Sequence, residues 1–79
     1  MRISMAEETM VKSNARIRET VNGQFEVCRE YCRSDWEAMA EASHFFASMC
    51  ASMTRCGLLD DAKFWAECEL EACTQQANL

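Results

Sequence analysis

Six cysteines, Cys28, Cys32, Cys50, Cys56, Cys68 and Cys73, are the side chains of this 79-residue chain best equipped for chemistry. A thiolate is a nucleophile, a redox centre and a soft-metal ligand. Their close spacings are C-x3-C, C-x5-C and C-x4-C. None is the C-x2-C step of zinc ribbons and dithiol oxidoreductases. Cys28 and Cys32 stand one helical turn apart on one face, which makes them the candidate ligands for a soft metal, copper or zinc. The competing expectation is packing. A buried thiol behaves as a small apolar group, and all six cysteines fall on or beside apolar rows. Packing weighs more, so the chain is expected to work without a cofactor, with Cu or Zn binding or thiol redox work as the alternative.

The segment Cys28-Arg29-Glu30-Tyr31-Cys32 resembles one step of the C-x3-C ladders that line helical bundles storing copper(I). Met39, His44, Met49 and Met53 are soft or borderline donors nearby. This chain has one such step rather than many, and bulky Phe25, Trp36, Phe45 and Phe46 occupy the same seam. No ligand is carried over from the resemblance.

Other constellations are weaker. Glu41-Ala42-Ser43-His44 has the E-x-x-H spacing of di-iron bundles, but it falls on the face opposite the Met39–Phe46 seam. Glu69 is the one glutamate on an apolar face, where it is expected to extend to solvent or meet an arginine such as Arg16 or Arg18 across an interface. The Glu37/Glu41-His44-Ser48 row has the residue types of a hydrolase triad without a nucleophile elbow or an oxyanion loop beside it. There is no Gly-rich phosphate loop. The expectation is a protein that is not an enzyme.

The elements that position these residues are helices. The chain has no proline and two glycines, Gly23 and Gly57, too few turn formers for an all-β fold. Phe25, Cys32, Met39, Phe46 and Met53 follow one another at seven-residue intervals, the repeat of a helix that keeps one seam against a partner helix. The spacing predicts a single all-α domain with helices over about 4–21, 24–56 and 61–77. Ser4 and Glu7 form a capping box at the first start, and Asn22-Gly23 offers a break. Ser34 and Glu37 form a second capping box, compatible with a kink inside the long central helix. Gly57 suits a left-handed helix end, with Leu58 after it, Asp60 as the next cap, and Leu59 and Phe64 as a staple around that cap. The last two helices therefore make an αα-hairpin. Leu58, Ala62, Trp65, Ala66, Cys68, Ala72 and Cys73 are expected on the inner side of the third helix. A hairpin turning near Leu58 sets position 50 opposite 67 or 68, so Cys50 and Cys68 are the intrachain pair to test for a disulfide.

On this reading the third helix reaches only from about Phe46 to Cys56. Phe25, Cys32, Trp36, Met39, Phe45, Phe46 and Met53 are then left to form an interface, and a homo-oligomer follows.

Charge is uneven. Residues 1–33 hold six basic and five acidic side chains; residues 34–79 hold two and eight. The acidic half disfavours nucleic acid. Its glutamates Glu37, Glu41, Glu67 and Glu71 are the candidate surface for a basic protein partner. The first eight residues contain no apolar run of a signal peptide, and no stretch has the length of a membrane span. The expected location is cytoplasmic, with the cysteines as thiols. The functional expectation is a non-enzymatic helical interaction module, a regulator, adaptor or inhibitor. Virus-encoded inhibitors of host machinery are often of this build.

Overall fold

The computed structural model describes the backbone from Met5 to Leu79 and the side chains from Asn14 onward. Three helices follow in order: α1 Met5–Arg29, α2 Asp35–Arg55 and α3 Leu59–Ala77. The fold is all-α, a three-helix bundle. The expected capping box at Ser4 and Glu7, and the apolar positions Ile3 and Met10, lie outside the described side chains.

The chain does not break at Asn22-Gly23. α1 runs through Gly23, and Val21, Phe25 and Cys28 on either side of the glycine pack into the core. A helical glycine costs about 1 kcal/mol relative to alanine, a penalty that burial of these neighbours readily offsets. The break comes at residues 30–34, inside the expected long central helix. There the Cys28 carbonyl accepts from both Tyr31 N–H, at 3.2 Å, and Cys32 N–H, at 3.0 Å, closing α1. Ser34 is extended, with φ −147° and ψ 161°, and its hydroxyl accepts from Glu37 N–H at 3.1 Å. The Glu37 carboxylate reaches back to accept from Arg33 N–H at 3.0 Å. A capping box of this kind satisfies donors that a helix start leaves orphaned, and it sets where α2 begins. Arg29, in the last turn of α1, pairs with Asp35 in the first turn of α2 at 3.3 Å.

The second turn is a complete Schellman motif. Gly57 takes φ +76°, Leu58 N–H donates to the Met53 carbonyl at 2.9 Å, and Gly57 N–H donates to Thr54 at 3.1 Å. α3 starts at Leu59, two residues earlier than expected. Leu58 occupies its cap without a side-chain hydrogen bond, so Asp60 is not the cap. Asp60 and Asp61 instead sit in the first turn, where negative charge suits the helix dipole.

With α2 shortened to 21 residues, the 19-residue α3 nearly matches it. α2 and α3 share the most extensive contact, and α1 packs against both. Ile17, Val21, Cys28, Ala38, Met39, Ala42, Phe46, Cys68 and Ala72 form one core. Phe46 is fully buried, with its ring stacked on Trp65 at 5.9 Å and edge-on to Phe45 at 5.6 Å.

Candidate functional site

The α1–α2 corner gathers the densest polar chemistry. Cys28 is fully buried, and its sulfur accepts from the Tyr31 hydroxyl at 3.2 Å and the Gln24 amide at 3.7 Å. Cys32 follows in the linker, half-buried. Glu37 and Glu41 stand nearby on the exposed side of α2. The Tyr31 phenol is pushed up to about 12, first by its hydrogen bond to Cys28, then by desolvation, then by negative charge from Cys28, Cys32 and Glu41. Cys32 is also pushed up, by desolvation first and then by the charges of Glu37, Cys28 and Glu41. Both effects hold protons on the site. A thiol kept protonated is a poor nucleophile and gives up its proton to a metal at a cost.

The structure places Cys28 in the last turns of α1 and Cys32 in the linker beyond it, rather than both on one helix face. Among the described residues, no group of three or more His, Cys, Asp and Glu side chains is arranged to hold a metal ion. All six cysteines are free thiols, Cys50 and Cys68 included. Cys68 is fully buried and raised to about 11, by desolvation first and then by Glu67, with Arg16 opposing. Cys73 lies close to Ser43, with 3.3 Å between Oγ and Sγ.

The expected interface residues divide. Met39 and Phe46 are interior, at 3% and 0% exposure. Phe25, Cys32 and Met53 are half-buried, the first two against the core. Trp36 and Phe45 remain open, at 58% and 39%. The seam is therefore mostly covered by the chain's own α1 and α3. The cause is the break at residues 30–34, which folds α1 back and lets α3 span most of α2.

The four glutamates do not make one surface. Glu41 acts on Tyr31, and Glu37 and Glu41 both act on Cys32. Glu67 and Glu71 line a groove of about 600 Å³ between α1 and α3, facing Arg18 and Lys63 along with Asn14, Ile17, Leu70 and Thr74. Arg16 is turned away from Glu69, its guanidinium lying over the Phe64 ring at 4.4 Å. Glu41 and His44 are both exposed on the outer side of α2.

Val27 is an exposed apolar residue that the sequence did not single out. Val27 and Tyr31, one turn apart, are 54% and 65% exposed. Glu41 of α2 is close enough to Tyr31 to act on its phenol, and Phe45 stands one turn beyond Glu41. The i, i+4 spacing of Val27 and Tyr31 carries the signal, but only once α1 is known to continue past Gly23. No family model, curated protein or solved structure matches this chain. Among the described residues no helix is long and apolar enough to cross a membrane.

Proposed function

We propose that this chain is a non-enzymatic helical interaction module, a regulator, adaptor or inhibitor, that self-associates and binds a second protein of basic character. The observation that carries the reading is the exposure of Val27, Tyr31 and Phe45, with Glu41 close to Tyr31 and Glu37 close to Cys32. Exposed aromatic side chains beside carboxylates combine an apolar anchor with electrostatic selection of the partner. Among the described residues, Ser43 is the sole buried polar side chain, and no buried side-chain polar atom lacks a hydrogen bond. A cytoplasmic setting fits the free thiols.

The test is crosslinking capture from native cells, compared across variants. A partner that is lost with Tyr31→Ala, Phe45→Ala and the Glu37→Lys/Glu41→Lys pair supports the proposal. A captured set indifferent to all of these substitutions refutes it.

A further inference from the structure

The α2–α3 hairpin has two sides, and α1 covers one. Ile17, Val21 and Cys28 of α1 meet Ala38 and Ala42 of α2 and Cys68 and Ala72 of α3 in a single cluster. The other side carries two rows. At helical spacing, Trp36, Ala40, Ala47 and Ala51 run along α2, exposed or half-buried. Leu59, Ala66, Cys73 and Ala77 run along α3, all exposed, with Leu70 at the edge of the row where it turns into the α1–α3 groove. Ala66 and Cys73 belong to the inner side in the sequence reading; the structure exposes both, with the Cys73 sulfur still 3.3 Å from the buried Ser43 hydroxyl. Neither row contains a charged residue, in a chain where 27% of residues are charged. Lys63 and Glu69 flank the α3 row.

We infer that this side of the hairpin is where a second copy of the chain docks. Three observations choose that occupant. The face is neutral, so a strongly charged partner gains nothing from it, whereas two chains of net charge −5 meet there without opposing carboxylates at the centre. The core is thin: among the described residues, the largest fully buried side chains are Phe46, Val21, Cys28 and Cys68. A domain of this size commonly needs further burial to be stable, and a second copy is present wherever the chain is. The area also suffices. Two helices of about 20 residues are about 30 Å long. Set 8–10 Å apart, they present a face about 20 Å wide, or about 600 Å² per copy. The pair then buries about 1,200 Å², the lower bound of a stable specific interface. The alanines permit close helix approach, and Trp36, 58% exposed, is the large anchor.

This inference locates the self-association part of the proposal above. It stands apart from the Tyr31 patch, which lies on the side nearer α1.

Light scattering across micromolar to submillimolar concentration tests it. The expected mass is twice the 9.0 kDa of one chain. Ala66→Glu and Ala47→Glu should each shift the dimer to monomer mass while circular dichroism stays helical, and Val27→Glu should leave it a dimer. Unsubstituted protein gives an independent readout. Alkylation of Cys73 should slow several-fold as concentration rises, relative to Cys56, which is exposed near the turn. A monomer at every concentration, or a dimer broken by Val27→Glu and untouched by Ala66→Glu, overturns the inference. Loss of partner capture with an intact dimer counts against the proposed function alone.

Discussion

The Tyr31 hydroxyl donates to the buried Cys28 sulfur at 3.2 Å, tying the linker after α1 to the core beneath it. Tyr31 is the chain's single tyrosine, so its titration can be read without interference. The fold favours the neutral phenol, with a pKa of about 12 against the ordinary 10. A raised folded pKa means that the stabilisation is complete below pH 10 and is lost as pH climbs toward 12. A phenolate absorbance titration should give a midpoint well above 10. Cys28→Ala, which removes the largest cause, should bring it down. An ordinary midpoint in the unsubstituted protein would show that the hydrogen bond does not form.

The thiols should react in order of burial. Cys56 is exposed, while Cys28 and Cys68 are fully buried. Cys68, at about 11, and Cys32, also raised, remain thiols at neutral pH. Alkylation at pH 8 followed by mass spectrometry should label Cys56 first, and Cys28 and Cys68 only after denaturant is added. The same preparation, purified under reducing conditions, should carry far less than one Zn or Cu per chain. One metal per chain, removed by Cys28→Ser with Cys32→Ser, would establish the metal-binding alternative instead.

Phe46 should be the costliest single truncation. It is fully buried between α2 and α3 and stacks on Trp65 at 5.9 Å. Phe46→Ala removes that contact and leaves a cavity, a loss of about 3–5 kcal/mol. For a small domain this is a large part of the total stability. Phe45→Ala, at a position 39% exposed, should cost distinctly less. Urea unfolding at fixed protein concentration compares the two, and equal losses would place Phe45 in the core.

The helical class, the hairpin and its glycine turn were legible in the sequence because each rests on local chemistry. Proline is absent, and Gly57 supplies the left-handed residue that the Schellman motif needs. The course of the chain between Val21 and Trp36 was not legible in the same way. Two local signals competed there, Asn22-Gly23 and the Ser34–Glu37 capping box, and propensity alone favoured the glycine. Packing of Val21, Phe25 and Cys28 on the hairpin decides for the serine, and that contact is between elements distant in sequence. One consequence follows from the other. Moving the break to residues 30–34 shortens α2, lets α3 cover Met39 and Phe46, and turns an expected interface into core. The spacing of Cys28 and Cys32 implied one helix face, and the end of α1 at Arg29 leaves Cys32 in the linker instead. The Tyr31 hydroxyl on the Cys28 sulfur was not legible, since Tyr31 lies beyond the last helical turn of α1.

The two glycines should respond to alanine with opposite signs. Gly23 lies within α1, and a Cβ built there meets nothing within 4 Å. Gly23→Ala removes backbone freedom from the unfolded chain without strain in the fold. It should therefore stabilise by about 0.5–1 kcal/mol. Gly57 also has open space around a Cβ, but its φ of +76° is one that side-chain-bearing residues rarely adopt. Gly57→Ala should destabilise by about 1 kcal/mol, because alanine must hold a left-handed conformation to keep the Leu58-to-Met53 hydrogen bond. Space is equal at the two sites, so the difference isolates backbone conformation as its cause. Thermal unfolding of both variants at matched concentration measures it. If Gly23→Ala destabilised as much as Gly57→Ala, α1 would have to break at Asn22-Gly23 after all, and the covering of Met39 and Phe46 would fall with it.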